Sequence, residues 1–253
     1  MMNLAFDGGW SAAVTGEPLC TIPRFTPDSV CLMRYTSVGE REQFVLETFG
    51  SQHFMWDAPD ILRFDKDTRD LVGAEFQMPY ASMYAESTDR FPEVPTVQRG
   101  GLRAVEVRDF RHEMCTVLHR APGDTVLTCL RDLDVLDEPM DACIGIAPDV
   151  AILVQNGAVV GWRVSNPVRY LTKAFTDPDP EPPSSETRRL FTECLDLVTD
   201  PVLDDLVDGE PTALARLRAA GEALCAQRED RHRADVLFQM IATYLEDYGD
   251  WKQ

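Results

Sequence analysis

Two stretches of this chain read alike, and that likeness constrains its fold more than any other feature. Ala58-Pro59-Asp60 leads into Ile61-Leu62-Arg63-Phe64, a polar turn, and Leu71-Val72-Gly73-Ala74-Glu75-Phe76, ending at Pro79. Ala147-Pro148-Asp149 leads into Val150 to Val154, a polar turn, and Val159-Val160-Gly161-Trp162-Arg163-Val164, ending at Pro167. Upstream, Cys31 to Tyr35 followed by Phe44-Val45-Leu46 parallels Cys115 to His119 followed by Thr125-Val126-Leu127. Self-similarity at a near-constant offset is the mark of a repeated structural unit.

Each unit reads as short strands. Four are expected near 30–36, 43–49, 60–65 and 71–78, and four near 112–119, 124–131, 149–155 and 158–165. Asn156-Gly157 between apolar runs predicts a tight hairpin, because both residues tolerate the positive φ of a type I′ turn. Alternation in the last strand puts Val72, Ala74, Phe76 and Met78 on one face, with Val160, Trp162 and Val164 in the equivalent places. Pro79 and Asn166-Pro167 could each open a short helix.

The expected fold is α+β: two tandem, pseudo-symmetric antiparallel β-meander modules followed by a C-terminal helical subdomain. The divisions expected are an N-terminal arm (1–25), the first module (26–86), a connector (87–108), the second module (109–176), an acidic Pro-rich linker (177–185) and the helices (186–253). Trp10 and Leu19 to Ile22 are expected to form an extra edge strand or arm. In the last third, Leu190, Phe191, Cys194 and Leu195, and later Val236, Leu237, Met240 and Ile241, recur at helical spacing. These stripes would pack on the sheets or on each other, or carry a homodimer interface.

Composition bounds the function. The 253 residues carry a formal net charge of −19, which disfavours direct nucleic-acid binding and favours approach to a basic partner. No run of ~18 apolar residues is present, so no membrane span is expected. The first ten residues lack the basic start and apolar stretch of a secretory signal, which points to the cytoplasm. Seven cysteines, an odd number without a C-x-x-C pair, read as reduced thiols, most of them in the core.

No glycine-rich phosphate loop, nucleophile elbow or H-E-x-x-H motif occurs. No catalytic residue, metal site or cofactor is therefore assigned. Cys115 could pair with His53 or His112 as a nucleophile, although its apolar strand favours a packing role. The most chemically mixed clusters are His53, Trp56 and Asp57, and Arg111, His112 and Glu113. If there is a small-molecule site, it is expected in a crevice between the two β units that includes these six. The leading expectation is a non-enzymatic acidic interaction protein, such as an immunity-type inhibitor of a basic toxin or nuclease. The alternative is an enzyme or small-ligand binder using the inter-module cleft.

Overall fold

A computed structural model of the chain describes residues 2–26, 28–51, 59–83 and 88–248. In chain order the elements are β1 (Asn3–Ala5), β2 (Ser11–Thr15), β3 (Arg24–Phe25), β4 (Ser29–Cys31), α1 (Val38–Glu47), β5 (Thr48–Gly50), β6 (Ile61–Asp65) and β7 (Leu71–Gln77). There follow β8 (Val97–Arg99), β9 (Gly101–Ala104), β10 (Val117–Arg120), β11 (Val126–Leu130), β12 (Ala142–Ala147), β13 (Val150–Gln155) and β14 (Ala158–Ser165). The helices α2 (Ser185–Leu197), α3 (Val202–Val207), α4 (Pro211–Ala226) and α5 (Arg231–Tyr248) close the chain. The class is α+β.

The strands form two sheets. One has the order β3-β4-β7-β6-β5. The other has nine strands in the order β8-β12-β13-β14-β1-β2-β9, with β11 also bonded to β14 and β10 to β11. The inner faces meet across one apolar core, where Phe76 stacks on Trp162 at 5.3 Å between ring centroids. Leu190, Phe191, Leu217 and Leu237 of the C-terminal helices belong to the same core. The apolar stripe of α5 is thus buried within the chain itself.

Both hairpins keep one register. Arg63 pairs with Gly73 and Phe64 with Leu71, while Leu153 pairs with Gly161 and Val154 with Val159. Each therefore has one extra residue, Val72 or Val160, at the same place. A bulge of this kind sets two residues against one and shifts the alternation beyond it. The expected face is corrected accordingly: Leu71 and Val159 join the shared core, Val160 packs on the outer side of its sheet and Val72 stays half-buried.

Gly73 and Gly161 sit beside these bulges with different surroundings. A Cβ on Gly161 would lie 2.3 Å from the Cys129 carbonyl oxygen, whereas one on Gly73 would meet side-chain atoms of Met33 and Phe44 at 2.8 and 3.1 Å. Backbone cannot yield as side chains can. Gly161→Ala is expected to cost about 1–3 kcal/mol, and Gly73→Ala less. Urea midpoints of the two variants check this, and equal midpoints would refute it.

The upstream correspondence differs from the expected one. β4 pairs antiparallel with β7 as β11 does with β14, so β4 stands in the place of β11, not of the strand at Val117. Neither unit is a plain meander, because the chain leaves the sheet between β4 and β5 and again between β11 and β12. The segment expected as a strand at 43–49 is mostly α1. Ser37 caps that helix by accepting from the Glu40 amide, and Glu40 reaches back to the Thr36 amide at 2.6 Å. This reciprocal cap is signalled in the sequence by Ser37-x-x-Glu40. At the other end the buried Arg63 guanidinium donates to the Val45 and Thr48 carbonyls at 2.8 Å.

The N-terminal arm is also corrected. β1 and β2 lie inside the nine-stranded sheet, with Ala5 opposite Ala158 and Leu4 opposite Ala12. Trp10 is fully buried and stacks on Phe110 at 4.0 Å. Asn156 and Gly157 both take positive φ, as the hairpin dipeptide predicts. Pro167–Tyr170 is a single 3-10 turn, and no helix follows Pro79 in the described residues up to Met83.

Candidate functional site

A polar cluster lies where the N-terminal turn, the approach to β10 and the start of β6 converge. Asp7 sits in a turn made tight by Gly8 and Gly9, both at positive φ. His112 Nδ1 donates to Asp7 Oδ2 at 2.8 Å, and the Glu113 amide donates to the same oxygen at 3.0 Å. The Arg131 guanidinium lies 3.2 Å from Asp7 Oδ1. Burial works against the Asp7 charge, but these donors outweigh it and hold the carboxyl down at about 2.

Asp60 lies deeper, at the entry to β6, and is only 1% exposed. Its Oδ1 accepts from the Gln77 amide at 2.7 Å, and the Cys115 thiol approaches Oδ2 at 4.0 Å. Burial pushes the carboxyl up to about 8, against the amide bonds from Gln77 and Cys115, with the Asp7 charge adding to the rise. At neutral pH the group is mainly protonated. Burial, with the nearby Asp60, also drives the Cys115 thiol well above its ordinary range, and burial does the same to Cys129.

The expected residues are thus only partly brought together. His112 and Glu113 reach this cluster, through His112's imidazole and Glu113's backbone amide. Arg111 precedes them on the same segment and has its own partner. His53, Trp56 and Asp57 lie outside the described residues. His112 also falls before β10, which begins at Val117, so the expected strand at 112–119 starts later than its periodicity suggested. Asp7, Asp60 and Arg131 had no local signal linking them to this place.

The chemistry available here is limited. The space lined by Asp60, His112, Cys115 and Arg131 measures ≈ 10 Å³, room for about one water and no substrate. A thiol needs its anion to attack, and this one is held protonated. Larger hollows lie elsewhere. One of ≈ 450 Å³ lies between α5, the β3–β4 turn and the segment after Leu171; another of ≈ 450 Å³ lies under α1. A third, of ≈ 390 Å³, lies on the outer side of the nine-stranded sheet.

No protein family, curated protein or solved structure compared with the chain matches it. Among the described residues no group of three or more His, Cys, Asp or Glu side chains could hold a metal ion. No helix there is long and apolar enough to cross a membrane.

Proposed function

We propose that this protein is a non-enzymatic acidic interaction protein that captures a partner with a basic surface, as an immunity-type inhibitor of a toxin or nuclease would. The observation that carries the reading is the distribution of unpaired acid around α3. Asp200, Asp204, Asp205, Asp208 and Glu210 make no ion pair with any described residue. Within this run Val207 is 59% exposed. Burial, with the neighbouring Asp204 charge second, raises the Asp200 carboxyl.

Many arginines elsewhere are already engaged internally. Arg189 bridges Glu186 and Glu193, and Arg120 holds Asp124 and Asp196. The surplus charge of −19 is therefore presented outward and would steer a cationic partner. The alternative, a ligand site between the β units, gains no support from the Asp60–His112–Cys115 cluster, which leaves room for about one water.

The immobilised chain is expected to retain a basic protein from host lysate at low salt and release it at high salt. A variant with Asp204, Asp205 and Asp208 changed to Asn and Glu210 to Gln is expected to lose that capture while keeping its fold. If no basic protein is retained at low salt, or the variant retains it equally, the reading fails.

A further inference from the structure

One cross-strand row on the outer face of the nine-stranded sheet brings two arginines toward one hollow. His119 pairs with Thr128, Thr128 with Arg163, Arg163 with Ala151, Ala151 with Gly145, and Gly145 with Arg99. Residues directly opposite across neighbouring strands share one face. The row therefore places two arginines on either side of two of the smallest residues. Three strand spacings separate them, about 14 Å along the sheet. Both arginines line the same ≈ 390 Å³ hollow, with Pro18 and Pro148 among its walls.

Neither arginine makes an ion pair with a described residue in a chain with 43 acidic side chains. The Arg163 Nε is buried and has no hydrogen-bond partner, while the rest of the side chain hydrogen-bonds the Cys143 sulfur. The carboxylate in the lining, Asp149, is engaged by the Tyr170 hydroxyl at 2.6 Å. Toward the other end, His119 is covered by Phe91, stacked at 3.9 Å, so that end of the row is closed. Burial, with the Arg163 charge second, lowers the His119 imidazole below its ordinary value and so disfavours its charged form. The cationic groups of the row are thus the two arginines.

We propose that this hollow is a binding site for a small oxyanion, a phosphate or carboxylate group held between Arg99 and Arg163 over Ala151. A planar guanidinium offers paired donors that match such an anion; the room for it lies over Ala151, because the Val97 side chain covers Gly145, with Cγ1 2.8 Å from where a Cβ would sit. The overall negative charge opposes non-specific anion binding, so anion uptake by this chain reports a local site.

Calorimetric titration of the full chain with inorganic phosphate, and separately with acetate, tests it at low ionic strength. Saturable binding is expected, weakened about tenfold or more in Arg99→Gln and in Arg163→Gln, since each removes charge-assisted donors. Arg99 is exposed at a sheet edge, so Arg99→Gln is expected to keep the wild-type melting temperature and serves as the test if Arg163→Gln folds poorly. Acetate that competes with phosphate assigns a carboxylate-accepting site, and silent acetate assigns a phosphate site. Absence of saturable binding by either anion, or undiminished binding in the double variant, would overturn the proposal.

Discussion

Arg233→Ala is expected to lower the unfolding free energy by about 3–5 kcal/mol, the cost of leaving a buried charge without its partner. Arg233 is 1% exposed and lies in the first turn of α5. Its guanidinium donates to both oxygens of Asp230 at 3.1 Å, and to the carbonyls of Asp179 and Glu181 at 2.9 and 2.7 Å. Asp230 in turn accepts from the amide of Ser184, the residue that caps α2. One side chain thus ties the proline-rich segment and the starts of two helices together. Its removal leaves Asp230 buried beside carbonyls that have lost a donor, and each such group carries a desolvation cost.

The comparison at the surface is Arg231→Ala, which removes an exposed ion pair together with donors to the Leu224, Cys225 and Gln227 carbonyls. Arg231 pairs with Asp235 at the surface, where 44% of its side chain is exposed. An exposed pair of this kind contributes about 0.2–1 kcal/mol. Urea denaturation of both variants decides the matter. If Arg233→Ala falls no further than Arg231→Ala, the buried guanidinium does not organise the helical third as described.

How far the chain could be read before its structure depends on how local each determinant is. The β13–β14 hairpin was legible because Asn156-Gly157 carries its backbone preference in two adjacent residues. Helix α1 was legible in principle, since Ser37 and Glu40 are three apart, but the apolar run Phe44-Val45-Leu46 gave a competing strand pattern. The bulges at Val72 and Val160 were not legible, because a bulge is a property of pairing and not of one strand. The same holds for β1, whose three residues enter the sheet by pairing Ala5 with Ala158, a contact that no local pattern announces.

The candidate site divides along the same line. The composition of Arg111-His112-Glu113 marked that segment as polar and mixed. What gives it meaning is Asp7, more than a hundred residues earlier in the chain, and Asp60, whose burial comes from both sheets closing over it. An aspartate at a strand start ordinarily just satisfies turn amides. Asp60 does accept a backbone amide, from Gln77, but in an interior where the charged carboxylate is disfavoured.

That burial sets up the second large effect, a dependence of stability on pH. The Asp60 carboxyl rises from an ordinary 3.8 to about 8 on folding. Between those values the native state holds a proton that the unfolded chain has released. Stability from this group is therefore full below about pH 4 and declines as pH rises toward 8, by about 1.4 kcal/mol per unit. Asp60→Asn removes the titration while keeping nearly the same shape. At low pH the variant is expected to be less stable by about 1–3 kcal/mol, because one acceptor facing backbone amides becomes a donor. As pH rises the wild type loses ground and the variant does not, so the difference shrinks and then reverses between about pH 4.5 and about pH 6. Asp7 shifts in the opposite direction, down to about 2, and its contribution is lost only as pH falls below about 4. It is present in both proteins and cancels in their difference. Urea midpoints of the two proteins from pH 4 to pH 9 measure that difference directly. Parallel profiles would mean that Asp60 stays ionised in the fold, and that the cluster beneath His112 holds two carboxylates instead of one carboxylate and one acid.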